Sequence, residues 1–153
     1  MATSQNKLAE HPFFENLDPA LLKIFSDCAT RVSYDPEQKI YREGEEANQF
    51  LLIQQGKVAV ELYAAARGNL VIQTVGAGEI LGWSWLFPPY RRRFDARAVQ
   101  KTQAFALNGN YLREKAESDY RLGYELLKRF SKIVVERLQA TRLQLLDVYG
   151  KHA

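Results

Sequence analysis

The stretch that decides the fold is residues 32–62, VSYDPEQKIYREGEEANQFLLIQQGKVAVEL. Short apolar runs alternate in it with turn residues. In residues 57–62 the large apolar side chains fall on every second position, which is typical of a half-buried β-strand. The runs are separated by dipeptides that favour turns, and these are Asp35-Pro36, Glu43-Gly44 and Gln55-Gly56. Short strands at this regular spacing predict a small antiparallel β-roll, built as a jelly-roll barrel.

The same alternation continues to the middle of the second half of the chain. Further runs with strand character cover residues 70–75, 95–99 and 102–107. The roll is therefore predicted over about residues 31–108. Residues 6–30 have helical spacing, with Asp18 as a suitable N-cap and Pro19 at the first helical position. The expected fold class is α+β, mainly β, with N-terminal helices before the roll.

Residues 110–150 have the periodicity of a long helix. One apolar stripe has steps of three and four and consists of Leu127, Phe130, Val134, Leu138, Thr141, Leu145 and Val148. A second stripe beside it consists of Leu126, Ile133 and Ala140. A helix of about 30 residues is roughly 45 Å long, which exceeds a roll of this size, so we expect one stripe to pair with a partner helix. The alternative, that both stripes pack on the chain's own core, stays open.

The composition is that of one ordinary globular domain, expected to span residues 1–153. A net charge of +3 is too small to indicate a nucleic-acid partner. The single cysteine, Cys28, excludes an intrachain disulfide, and its place on an apolar helix face predicts core packing. No apolar run approaches the ~18 residues of a membrane span, and the N-terminus has no signal-peptide pattern. We therefore expect a cytoplasmic location and no membrane contact.

The order helix, roll, long helix resembles the cyclic-nucleotide-binding domain family, the sensor domain of catabolite-activator and FNR-type regulators. Residues 11–62 resemble the N-terminal half of that family, with Gly44 at its EG turn and Gly56 at the start of the next strand. The segment RLQATRLQLLDVYG, residues 137–150, is similar to its dimerisation helix. The resemblance implies a regulatory homodimer that forms through the C-terminal helix, with no enzymatic activity.

The helix-turn-helix of such regulators would begin after Gly150, where three residues remain. We therefore expect the chain to have no DNA-binding domain of its own. A signal would then pass from the long helix to a partner protein.

The segment GEILGWSWLFPPYRRRFDARAV, residues 78–99, has the residue types of an anion site. Gly82 allows close approach of the backbone, and a helical turn at residues 84–87 would direct free N–H groups at an anion. Arg92 could bind two phosphate oxygens at once. Gly82 and Arg92 also match the phosphate-binding cassette of the family the chain resembles. The candidate ligand-binding residues are Gly82, Trp83, Ser84, Trp85, Arg92 and Arg93.

Two positions depart from that cassette. Trp83 stands where the family has a glutamate that accepts hydrogen bonds from a ribose, and an indole has no acceptor. Arg93 stands where the family has a small hydroxyl residue. These departures imply altered or lost binding of cyclic AMP and cyclic GMP. The resemblance further places Arg137 and Thr141 at base-contacting positions; the alternative is a solvated charge and a small polar seam residue.

Catalytic and metal sites have no support in the sequence. The two histidines, His11 and His152, lie near opposite ends, away from any nucleophile or set of metal ligands. Two hypotheses remain. One is a regulatory module that binds a cyclic nucleotide or another small anion. The other is a degenerate, non-binding dimerisation scaffold, in which Asp95 or Asp119 would neutralise the arginines internally.

Overall fold

The computed structural model describes residues 4–150, and its N-terminal part contains three short helices. They are α1 (Ser4–Ala9), a 3₁₀ helix (Pro12–Phe14) and α2 (Pro19–Asp27). The predicted N-terminal helices are confirmed, and Pro12 and Pro19, which lack the N–H that would continue a preceding helix, each begin a new one. The helical spacing over residues 6–30 extends too far, because α2 ends at Asp27 with Cys28 as its C-cap and a strand begins at Ala29. The predicted cap is confirmed, since Asp18 Oδ1 accepts a hydrogen bond from Ala20 N at 2.7 Å.

Eight strands form two four-stranded antiparallel sheets. They are β1 (Ala29–Tyr34), β2 (Lys39–Tyr41), β3 (Gln49–Gln55), β4 (Lys57–Ala64), β5 (Gly68–Gly76), β6 (Ile80–Leu81), β7 (Asp95–Ala98) and β8 (Thr102–Asn108). The strand orders are β1-β8-β3-β6 and β2-β7-β4-β5. The predicted mainly-β roll is confirmed. A closed barrel is wrong, because the two sheets share no hydrogen-bonded strand pair and the short strands β2 and β6 end one sheet each.

Alternation in the sequence located every strand except β6. That strand has two residues, too few to show a period, and it pairs with β3 through Leu51↔Leu81 and Leu52↔Ile80. Side chains from both sheets fill the space between them, including Ile53, Val58 and Ala104. Because β6 delivers the chain from this core directly to Gly82, its short pairing fixes where the following loop begins.

A second cluster of aromatic side chains packs beneath the N-terminal helices. Phe13, Phe14 and Phe25 meet edge to face with ring centroids 5.1–5.9 Å apart, and Phe50 of β3 lies 5.9 Å from Phe13. Trp85 stacks on Phe50 with centroids 4.9 Å apart. Aromatic pairs of these geometries add about 0.5–1.5 kcal/mol each beyond the area they bury. The cluster therefore holds the N-terminal helices, β3 and the loop after β6 together.

The C-terminal part contains α3 (Gly109–Ser118) and α4 (Tyr120–Gly150). The single predicted helix is interrupted at Asp119, whose Oδ1 accepts hydrogen bonds from Arg121 N and Leu122 N and so caps α4. The chain divides into two compact units inside α3, a roll unit that ends at Glu114 and a helical unit that begins at Lys115.

Burial changes along α4. Leu122, Leu126 and Phe130 are buried, whereas the later large apolar side chains are exposed. These are Val134, Val135, Leu138, Leu143, Leu145, Leu146, Val148 and Tyr149. None of the helices within residues 4–150 is both long and apolar enough to cross a bilayer.

The buried His11 predicts a pH dependence of stability. Its side chain is 5% exposed and its Nδ1 accepts a hydrogen bond from Phe13 N at 3.2 Å. Burial lowers the pKa of His11 below 6.5, with the backbone at Ile53 and Glu79 partly opposing. The unfolded chain therefore takes up the proton first, so stability is full above pH 6.5 and is lost as the pH falls through the folded-state pKa.

We expect the melting temperature of the wild type to fall by a few degrees between about pH 7 and about pH 5. His11→Asn keeps a side-chain acceptor for Phe13 N and should remove most of this dependence. The measurement is thermal melting at each pH by circular dichroism. Equal pH dependence of the two proteins would contradict the prediction.

Candidate functional site

The loop between β6 and β7, residues 82–94, contains the predicted anion site. Two hydrogen-bonded turns shape it, with Leu86 N donating to Trp83 O at 3.1 Å and Tyr90 N donating to Phe87 O at 2.9 Å. The helical turn expected at residues 84–87 is wrong, because Pro88 and Pro89 lack the N–H groups that would extend a first turn into a helix. The loop therefore offers turn N–H groups rather than a helix N-terminus.

Arg92 points inward and is 6% exposed. Its Nη2 donates to the backbone carbonyl of Gln49 at 2.6 Å, and its guanidinium lies 4.1 Å from the ring centroid of Tyr41. Within the described residues, its Nε and Nη1 are buried without a hydrogen-bond partner. Burial lowers the pKa of Arg92, and nearby Tyr41 and Glu45 oppose that shift. The result is a buried cation with two unused donors.

Gly82 is required beside this guanidinium for two reasons. Its φ is +92°, a conformation that residues with a Cβ rarely adopt. A Cβ built there would lie 2.5 Å from Nη1 of Arg92, which is far inside contact distance. The family spacing between Gly82 and Arg92 thus corresponds to direct packing of the glycine on the arginine.

A small cavity of about 50 Å³ adjoins the guanidinium. Five of the six predicted ligand-binding residues line it, namely Gly82, Trp83, Ser84, Arg92 and Arg93. Trp85 is not among the lining residues; it is fully buried and stacks on Phe50. Pockets for drug-sized ligands hold about 300–1,000 Å³, whereas one water occupies roughly 30 Å³. In this conformation the cavity is therefore much smaller than a pocket for a drug-sized ligand.

Three contributors to the site were missed in the sequence. Tyr41 and Gln73 line the cavity, and Gln49 supplies the carbonyl that accepts from Arg92. Tyr41 and Gln73 sit in strands predicted only as core-forming elements. No sequence signal could have found Gln49, because a backbone carbonyl is independent of residue type. These residues bring β2, β3 and β5 to the loop.

The two aspartates considered as internal counter-ions are engaged elsewhere. Asp95 Oδ2 is 2.8 Å from Lys39 Nζ, and its Oδ1 accepts from Glu43 N at 2.7 Å. The Lys39 contact, followed by the Glu43 N–H, lowers the pKa of Asp95. Asp119 caps α4 in the helical unit. Neither aspartate therefore compensates Arg92; the carbonyl of Gln49 and the ring of Tyr41 contact its guanidinium, and the nearby Glu45 acts on it through its charge.

The neighbouring arginine is in a different environment. Arg91 is exposed; its Nη2 lies 4.0 Å from Glu46 Oε1 and its Nη1 lies 3.4 Å from the carbonyl of Gly44. It borders a separate polar cleft of about 360 Å³ that shares no lining residue with the small cavity. That cleft is lined by Glu46, Asn48, Pro89, Tyr90, Arg91, Asn110, Arg113 and Glu114.

The other candidate residues lie apart from the loop in the sequence. Arg137 is half-buried and Thr141 is exposed on α4, in the helical unit. Cys28, expected in the core, is only half-buried; its Sγ lies 3.4 Å from the carbonyl of Phe25 and burial raises the pKa of its thiol to about 11. His152 lies outside the described residues. No cluster of metal-ligating side chains occurs within residues 4–150.

Comparison with known proteins places this fold and loop in a family. Residues 31–119 match the family model of the cyclic nucleotide-binding domain. Cyclic nucleotide-gated ion channel 1 of Arabidopsis thaliana is 29% identical over an alignment of 127 residues that covers 76% of this chain. The match spans 18% of the channel, so the chain corresponds to about a fifth of that relative.

Solved structures share the architecture. A candidate cyclic nucleotide-binding protein from Geobacter metallireducens GS-15 is 28% identical, with a TM-score of 0.79 over 90% of this chain and 99% of that one. The catabolite activator protein of Thermus thermophilus is 22% identical, with a TM-score of 0.69 over 90% of this chain and 63% of that one. At 22% identity, the similarity to the catabolite activator protein shows a shared fold and nothing more.

Packing of Gly82 on Arg92 predicts a specific loss of stability. Gly82→Ala should cost about 1–2 kcal/mol for its left-handed backbone. A further 1–3 kcal/mol should come from overpacking, because Nη1 cannot retreat without breaking the bond to Gln49 O. Gly44→Ala is the control, since Gly44 has a φ of +89° but nothing within 4 Å of an added Cβ. The measurement is urea unfolding, and equal losses in the two variants would contradict the packing argument.

Proposed function

The chain belongs to the cyclic nucleotide-binding domain family, and from this premise we propose that it is a regulatory module, not an enzyme, that binds a small anionic ligand through Arg92. The ligand class is a phosphate or a phosphate-bearing nucleotide, held by Arg92 with Gly82 and Ser84. The output is a shift of the C-terminal helix.

One observation carries the proposal, namely the two buried donors of Arg92 that lack a partner among the residues described. A buried donor without a hydrogen bond costs about 1–3 kcal/mol, and more when it is charged. An oxyanion at the adjoining cavity would accept a charge-assisted hydrogen bond from one of these two donors, because Nε and Nη1 point to opposite sides of the guanidinium and do not share one oxyanion. Ligand binding would thus give a hydrogen-bond acceptor to a buried donor of Arg92 that has none in the unliganded protein.

The lining of the cavity argues for altered specificity. Trp83 borders it at the position where a ribose would need an acceptor. A ribose hydroxyl left buried and unpaired costs on the order of 1–3 kcal/mol. The cavity of about 50 Å³ must also enlarge before a nucleoside could enter, which requires Trp83 or Arg93 to move. We therefore propose that inorganic phosphate or a small phosphate ester binds better than cyclic AMP or cyclic GMP.

The same proposal includes an assembly. The exposed apolar side chains of α4 from Val134 to Val148 form a surface that favours a second copy of the helix. A homodimer formed through α4 would give the module a route to a partner protein, in the cytoplasm. Arg137 and Thr141 lie on this part of α4 and would contact a base only where the ligand is a nucleotide.

Arg92 variants test the binding proposal. By isothermal titration calorimetry with inorganic phosphate, Arg92→Lys should weaken binding, because lysine keeps the charge but lacks the planar pair of donors. Arg92→Ala should weaken it further, by about 1.5–3 kcal/mol, or roughly tenfold or more in Kd. Arg91→Ala is the matched control, since Arg91 is exposed and should leave the affinity unchanged.

The same titrations decide between the two hypotheses. Cyclic AMP and cyclic GMP are added as further ligands, and submicromolar binding of either would contradict the altered specificity. If phosphate binding survives in Arg92→Ala but is lost in Arg93→Ala, then Arg93 holds the anion and the proposed role of Arg92 is wrong. Absence of binding to every ligand would favour the non-binding scaffold, for which the small cavity is the supporting observation.

The assembly is tested on α4. Val134 is 40% exposed, and Val134→Glu should convert a dimer into a monomer, because it places an unpaired charge in an apolar seam. Gln139→Glu is the control, since it adds one charge at an exposed polar position of the same helix. Sedimentation velocity at tens of micromolar, a range in which stable interfaces are populated, measures the outcome. A wild-type monomer there would refute the homodimer.

A further inference from the structure

We propose that Arg113 of α3 is a positioning residue of the anion site. Its side chain holds the turn at residues 83–90 in the conformation that buries Trp85. The inference rests on the proposed function, since it concerns how that same site is kept in shape. It also assigns a role to an arginine that borders the polar cleft and is not a cavity-lining residue.

Arg113 makes three contacts with its guanidinium. Nη1 donates to the backbone carbonyl of Trp85, and Nη2 donates to Asn110 Oδ1 on the same helix. The face of the guanidinium lies 4.1 Å from the ring centroid of Tyr90. Trp85 and Tyr90 belong to the loop that contains the anion site, so one side chain holds the loop at two points.

The first of these two points, Tyr90, has a backbone conformation that its surroundings must enforce. Tyr90 has a φ of +57°, an uncommon conformation for a residue with a Cβ, and such conformations persist where the surroundings enforce them. Its carbonyl accepts from Ala47 N at 2.7 Å. The stacked guanidinium therefore adds a side-chain restraint to a residue already fixed through its backbone.

Trp85 is held through packing contacts of its ring as well as through the hydrogen bond to its carbonyl. A Cβ on Gly109, the first residue of α3, would lie 2.8 Å from Cε3 of Trp85, so helix backbone packs directly on the indole. The indole also stacks on Phe50, whose chain neighbour Gln49 supplies the carbonyl bonded to Arg92. A continuous set of contacts thus joins Arg113 to Arg92 within the roll unit.

The chemistry at position 113 needs an arginine. Only a guanidinium can donate to two acceptors in different directions while its flat face lies on an aromatic ring. A lysine ammonium has three donors, but it has no flat face to lie on the ring of Tyr90 and no fixed fork to direct its donors. Preorganisation of a site raises affinity by removing the ordering that binding would otherwise require. Loss of the Arg113 contacts with Trp85 and Tyr90 should therefore lower anion affinity, although Arg113 is not among the residues that line the anion cavity.

The test uses the full chain and two readouts. Inorganic phosphate affinity is measured by calorimetry for wild type, Arg113→Ala and Arg113→Lys. A second series is made in a Trp83→Phe background, where Trp85 is the sole tryptophan, and neutral acrylamide quenching of its fluorescence reports how well the turn is held. Arg67→Ala, at an exposed position in the β4–β5 turn, is the control for loss of an arginine.

We expect Arg113→Ala to weaken phosphate binding by about three- to tenfold and to increase quenching of Trp85, with Arg113→Lys between it and the wild type. Asn110→Ala removes one acceptor and leaves the arginine in place. It should weaken binding less, with a melting temperature near that of the wild type, which separates positioning from a general loss of folding.

The proposed positioning role of Arg113 would be overturned if Arg113→Ala showed the phosphate affinity and the Trp85 quenching of the wild type. Tighter phosphate binding in that variant would overturn it as well. Failure of the wild type to bind phosphate would instead refute the proposed function. The quenching series then still decides whether Arg113 holds the turn, because Trp85 is observed without any ligand.

Discussion

The burial of one guanidinium constrains the rest of the roll. Arg92 is 6% exposed, and a charge removed from water costs several kcal/mol unless polar groups compensate it. The carbonyl of Gln49 on β3 and the ring of Tyr41 on β2 provide that compensation from two different sheets. The backbone of Arg92 is also fixed, since its N–H donates to Glu45 O and its carbonyl accepts from Gly44 N, both at 2.8 Å. Two sheets and the loop before β7 are therefore positioned by the requirements of a single side chain.

The polar site and the aromatic core are consequently inseparable. Adjacent residues of β3 serve both, because Gln49 bonds to Arg92 through its carbonyl while Phe50 stacks on Trp85. Trp85 in turn packs against the start of α3 at Gly109. A change in the position of Arg92 would move the carbonyl of Gln49, which is joined directly to Phe50 by a peptide bond. Packed interiors respond to such changes by switching between discrete arrangements rather than by gradual deformation, which suits a regulatory module.

Period-2 alternation predicted the strands well, because it records which face of a sheet is buried. It missed β6, since two residues show no period, and it suggested a barrel closure that strands as short as β2 and β6 do not make. Helical spacing missed the breaks at Pro12 and Asp119, where local chemistry overrides periodicity. At the site, Gly82 and Arg92 could be selected from spacing. Gln49 and Arg113 could not, because one acts through its backbone 43 residues away and the other through a carbonyl 28 residues away.

The presence of a buried arginine at position 92 is itself an argument about function. A scaffold that only dimerised would be as stable or more stable with an apolar side chain there, because replacing a buried charge by a packed hydrophobic group is often neutral or stabilising. Gly82 would then also be unnecessary, since its close approach serves the guanidinium. Under the proposed function the pair makes physical sense, because an unsatisfied donor of Arg92 meets an anion in the bound state. A ligand shifts an equilibrium only by its difference in affinity for the two states. Under the proposed function, the unsatisfied donors of Arg92 are the source of that difference.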